Sequence, residues 1–118
     1  MLLLALDTTS RSGSLAVLRD DQLLGVVSTS TEENYSSRMF RQLDFLLREV
    51  GVELHHIELY AVASGPGSFT GLRVGLTAVK GWAEVYARPI AAVSALEAVA
   101  AQAHASARWL VPVIDAQI

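Results

Sequence analysis

Apolar positions recur along this chain with two different periods. Leu2 to Leu6, Ser14 to Arg19 and Gln22 to Ser28 are short runs of the kind that form strands, with Asp20-Asp21 as the tight turn between the last two. The polar segment Thr29 to Tyr35 then reads as a loop, and Ser36 or Ser37 can cap the next element. From Ser37 to Val50 the period becomes helical: Met39, Leu43, Leu46, Leu47 and Val50 fall at i, i+4, i+7, i+8 and i+11, with Gly51 placed to end the helix. Ile57 to Ser64 reads as a strand, Leu72 to Ala87 as a second helix stopped by Pro89, and Ile90 to Val93 as a short strand. Ser94, with Glu97 at the capping-box spacing, opens an alanine-rich third helix to about Ala105, and Arg108 to Asp115 reads as a further strand. Three meandering strands followed by β-α units predict one mixed sheet with helices packed on it.

The second helix carries an unusual surface. Leu72, Leu76, Val79, Ala83 and Tyr86 form one apolar stripe, and Val74, Ala78, Trp82 and Val85 form another beside it. Only Arg73, Thr77, Lys80 and Glu84 make a polar stripe. A helix apolar over most of its circumference is buried on more than one side. Two readings stand: the second side belongs to a partner, with Val74, Leu76, Ala78 and Trp82 at the interface, or the helix is covered by its own sheet and by the first helix. Gly71, Gly75 and Ala78 would let another backbone approach closely.

The loop before that helix, Gly65-Pro66-Gly67-Ser68-Phe69-Thr70-Gly71-Leu72-Arg73, is rich in glycine and hydroxyl residues. Loops of this kind expose backbone N–H groups that can meet an anion or another chain. The sequence is not a Walker A motif, since no Gly-Lys-Ser/Thr stands at the required spacing. Ser68, Thr70 and Arg73 could contact an anion. The preferred reading is a tight turn that seats the helix on the sheet, with a part in an interface.

Composition removes several classes. The apolar content of 52% against 18% charged residues excludes a disordered chain. A net charge of −3 argues against tight autonomous binding to nucleic acid. The absence of cysteine removes disulfides, thiolate metal sites and a cysteine nucleophile. The apolar start Met1 to Leu6 lacks the basic region and cleavage site of a signal peptide, and no apolar run reaches the ~20 residues of a membrane helix.

Asp7-Thr8-Thr9 after a buried strand, the run Gly65 to Arg73, then Val74-Gly75-Leu76 and Ala78-Val79-Lys80-Gly81, resemble the TsaB (YeaZ) family of bacterial tRNA threonylcarbamoyladenosine biosynthesis proteins. The resemblance in element order spans the chain and corresponds to an N-terminal lobe. It implies an α/β fold, the ribonuclease-H-like lobe of the actin-like ATPase (ASKHA) fold, with a mixed five-stranded sheet and flanking helices. Residues 1–115 would be that lobe and 116–118 the start of the crossing to a second lobe beyond this chain. The implied role is a cytoplasmic, non-catalytic scaffold and dimerisation subunit. It would pair with the catalytic paralogue TsaD, work with the ATPase TsaE, form a homodimer when alone, and meet tRNA only through the complex, with no cofactor and no membrane.

The resemblance also frames the candidate chemistry. In actin-like ATPases the hairpin corresponding to Asp7, Thr8 and Thr9 embraces phosphates, which keeps a nucleotide-binding enzyme as the alternative. The competing reading is a turn closed by its own hydrogen bonds, and it is preferred. Catalytic paralogues carry a metal-binding His-x-x-x-His where Ala95 and Val99 stand here, and neither residue can bind a metal. A zinc site needs three or more convergent ligands. His55 and His56 read as adjacent side chains pointing apart, and His104 as a residue near a helix end, so no metal is expected. Family members often carry a His-Ser pair before the first helix; this chain has Glu33-Asn34-Tyr35-Ser36-Ser37 instead. A peptidase is disfavoured because no nucleophile, base and orienting group can be assembled.

Overall fold

The computed structural model describes residues 1–9, 12–30, 36–67 and 69–94. The predicted third helix with Ala95 and Val99, His104, the Arg108 to Asp115 strand, Ser68 and the Glu33-Asn34-Tyr35 run lie outside the described residues. The described chain runs β1 (Leu2–Asp7), β2 (Ser12–Arg19), β3 (Gln22–Ser30), α1 (Ser36–Val50), a 3-10 turn (Leu54–His56), β4 (Leu59–Ala63), α2 (Phe69–Tyr86) and β5 (Ile90–Val93). No helix among the described residues is long and apolar enough to cross a membrane.

The five strands form one mixed sheet in the order β3-β2-β1-β4-β5. β1 runs antiparallel to β2 and parallel to β4, β2 is antiparallel to β3, and β4 is parallel to β5. The alternation of each strand decides which face is buried. Leu4 pairs with Val17 and Tyr60, and Leu6 with Leu15 and Val62, so these side chains share one face. That face meets Met39, Leu43 and Leu46 of α1 and Ala78 and Val79 of α2 in a single core. Both helices therefore lie on the same side of the sheet.

The helix ends reflect their local chemistry. At the end of α1 the Gly51 N–H donates to the Arg48 carbonyl at 3.3 Å and the Val52 N–H to the Leu47 carbonyl at 3.0 Å, a Schellman cap that also brings apolar Val52 over Leu47. α2 ends similarly, with the Arg88 N–H on the Ala83 carbonyl at 3.0 Å, although alanine and not glycine occupies the left-handed position, Ala87 at φ 53°. α2 begins at Phe69, three residues before the predicted Leu72. Thr70 and Gly71 belong to its first turn, so the preceding loop is shorter than expected. The predicted strand from Ile57 begins at Leu59, because Leu54–His56 form a 3-10 turn first.

Tyr60 sits at the centre of the core, fully buried, and its hydroxyl donates to the Leu54 carbonyl at 3.3 Å. Burial pushes this hydroxyl above the ordinary tyrosine value; Tyr86 adds to the effect and Arg88 opposes it. A raised folded-state pKa contributes stability that is complete below the unfolded value, near 10, and is lost as pH rises through the folded value. Denaturant unfolding compared at about pH 9 and about pH 11 is expected to show stability falling with pH. Tyr60→Phe should flatten that fall. An equal fall in the variant would place the effect elsewhere.

Candidate functional site

Two features bear on α2, one at the C-terminal end of β1 and one along the helix. The first is the Asp7–Thr9 turn. Asp7 Oδ1 accepts from the Thr9 backbone N–H at 2.9 Å and from the Thr9 hydroxyl at 2.6 Å. The Thr8 hydroxyl donates to the Gly71 carbonyl at 2.6 Å. Thr8 and Thr9 are 1% and 4% exposed, so neither hydroxyl proton is available to a phosphate without breaking an existing bond. The turn closed by its own hydrogen bonds is what the structure places here, with an added tie to α2.

The glycines around this turn serve close approach within the chain. A Cβ on Gly67 would lie 2.4 Å from the Thr9 carbonyl oxygen, and a Cβ on Gly75 would lie 2.5 Å from Thr8 Oγ1. The space that Gly71 and Gly75 were expected to open for another backbone is filled at Gly75 by Thr8 and Val62. Gly65 has φ 104°, a conformation that favours glycine, and precedes a cis bond to Pro66.

The second feature is the groove between the two helices. Trp82 lies against Tyr60, ring centroids 5.8 Å apart, and meets Phe40 of α1 edge-on at 6.3 Å. Phe40, Thr70, Arg73, Val74, Thr77, Ala78, Gly81 and Trp82 line an open cleft of ≈ 580 Å³. The predicted interface set divides in two. Ala78 is in the core at 9% exposure and borders the cleft, and Leu76 packs half-buried against that core outside the cleft lining. Val74 and Trp82 are half-buried and reach the cleft. Arg73, Thr77, Lys80 and Glu84 are exposed as the polar stripe predicted. Gly75, Ala78 and Val79 are the α2 residues buried against the core, the other side chains described on this helix are half-buried or exposed, and Val85 of the second predicted stripe is 73% exposed outside the cleft. Sequence reasoning missed Phe40, which is 56% exposed. The available signal was an aromatic residue beside the helical stripe but outside it.

His55 and His56 do not point apart. The 3-10 turn brings their rings together, centroids 4.2 Å apart and planes tilted by 52°, and His55 Nδ1 lies 3.4 Å from Glu53 Oε2. Ligand atoms of Glu53, His55 and His56 come within 4.8 Å of one another. All three residues are exposed, and His56 Nδ1 already accepts the Glu53 backbone N–H at 3.1 Å. That bond caps the turn, and a cation at this nitrogen would have to break it. The donor set suits a turn cap better than a metal centre.

A family model described as TsaD, tRNA N6-adenosine threonylcarbamoyltransferase, matches residues 15–117. The tRNA threonylcarbamoyladenosine biosynthesis protein TsaB of Bacillus subtilis is 34% identical over 117 residues, 99% of this chain and 51% of that protein. The tRNA N6-adenosine threonylcarbamoyltransferase of Nitratidesulfovibrio vulgaris (strain DP4) is 32% identical over 83% of this chain and 31% of its own length. Among solved structures, YeaZ from Pseudomonas aeruginosa superposes with a TM-score of 0.77 at 37% identity, over 86% of this chain and 46% of that one. The chain thus spans about half the length of the TsaB and YeaZ relatives it matches. The mixed five-stranded sheet, the two helices on one face and these likenesses identify a ribonuclease-H-like, actin-like α/β fold, and the chain belongs to the TsaB/YeaZ group within the TsaD-type family.

Proposed function

We propose that this chain acts in tRNA threonylcarbamoyladenosine biosynthesis as a non-catalytic scaffold that works by docking a TsaD-like catalytic paralogue. The observation that carries the reading is the α1–α2 cleft, an opening beside the core lined by Phe40 and Trp82. Aromatic residues in such pockets commonly anchor protein partners. The commitment of the Thr8 and Thr9 hydroxyls favours a scaffold over a nucleotide enzyme, the alternative class. A TsaE-like ATPase joins the same assembly, the chain pairs with itself when alone, and tRNA is met through the assembly, in a cytoplasmic setting. Co-purification with the TsaD-like protein of the same genome, with light scattering on the chain alone, is the test. A stable complex is expected. A strictly monomeric chain that also fails to capture the TsaD-like protein would overturn the proposal.

A further inference from the structure

We infer that Thr8 is the positioning residue that fixes the first turns of α2, and so sets the shape of the docking cleft; this rests on the docking role proposed above. Gly71 and Gly75 stand one helical turn apart on the same side of α2, and together they make a notch without side chains. Thr8 fills the notch. Its hydroxyl donates to the Gly71 carbonyl at 2.6 Å, and its Oγ1 lies 2.5 Å from where a Gly75 Cβ would stand. Gly71 belongs to the first turn of α2, where a helix frays, and the tie falls on its carbonyl, whose two lone pairs can take a second donor beside a helix bond.

The other end of the tie does not yield. Thr8 comes directly after β1, which is paired on both sides by β2 and β4. The next residue is held twice by Asp7 Oδ1, and Gly67 packs on the Thr9 carbonyl. Thr8 thus couples the middle of the sheet to a helix start 63 residues away. Thr70, Arg73, Val74 and Thr77 of the cleft all lie within the first three turns of that helix. A shift of the α2 start would move these residues relative to Phe40, which α1 holds in place.

The hydroxyl, not the volume, carries this role, which makes it separable. Thr8→Val keeps the shape and removes the donor, whereas Thr8→Ser keeps the donor. In Thr8→Val, amide exchange between Gly71 and Thr77 should quicken about tenfold, the scale of one lost hydrogen bond, while exchange near Tyr86 stays put. Affinity for the TsaD-like partner should weaken about tenfold in Thr8→Val and recover in Thr8→Ser. Val17→Ala, a core change remote from α2, controls for general destabilisation: it should not give the localised exchange pattern. Unchanged exchange across Gly71 to Thr77 in a folded Thr8→Val, or the same pattern in Val17→Ala, would overturn the inference. If the wild-type chain binds no TsaD-like partner, the docking proposal fails, while the exchange experiment still decides what Thr8 does.

Discussion

Gly75→Ala is expected to destabilise this chain, even though alanine is the better helix former. Propensity alone would favour the substitution by about 1 kcal/mol. The new methyl would sit 2.5 Å from Thr8 Oγ1 and 3.3 Å from Val62 Cγ2. Thr8 has nowhere to retreat: it is 1% exposed and bonded to the Gly71 carbonyl. Overpacking of this kind costs about 1–3 kcal/mol, and displacing Thr8 loses its hydrogen bond for about 1 kcal/mol more. The net expectation is a loss of about 1–3 kcal/mol. Gly81→Ala is the built-in control, on the same helix with nothing within 4 Å of the added carbon. It should gain about 0.5–1 kcal/mol. Chemical denaturation of the two variants should therefore show opposite signs. Stabilisation by both would mean that α2 is not held against Thr8 as described.

The contrast between these glycines shows where sequence reading stops. Periodicity reports which face of a helix is apolar. On that basis the core face of α1 at Met39, Leu43 and Leu46 and the exposed stripe of α2 at Arg73, Thr77, Lys80 and Glu84 were legible. Periodicity does not report what lies opposite. Gly71 and Gly75 look alike as small residues in a helix, and whether the space above them takes a neighbouring chain or Thr8 depends on a contact 63 residues long in sequence. The same limit explains the two apolar stripes of α2, which the sequence could assign either to a partner or to α1. The sequence pattern starts α2 late because Thr70-Gly71 has loop chemistry, although tertiary contact with Thr8 supports a helical turn there. The orientation of the two histidines was not legible because the segment before β4 forms a 3-10 turn, which alters the angle between adjacent side chains.

Phe40→Asp is expected to abolish docking while leaving the chain folded. The phenylalanine is 56% exposed, yet its ring meets Trp82 edge-on at 6.3 Å and forms one wall of the cleft. Removing an anchor of this kind costs about 2 kcal/mol or more in binding, and a desolvated carboxylate in its place adds to that loss. Affinity for the TsaD-like partner should then fall at least about thirtyfold. The effect on folding should stay within about 1 kcal/mol, because the position is largely exposed and an acidic residue is tolerated near the N-terminal end of α1. Trp82→Ala separates the two roles. Trp82 contacts Tyr60 in the core as well as Phe40, so its removal should cost about 2–4 kcal/mol of stability along with the docking. Calorimetric titration with the partner, alongside circular dichroism of each variant, reads both quantities. A folded Phe40→Asp that still binds like the wild type would mean that the partner sits elsewhere on the chain, and the α1–α2 cleft would lose its role.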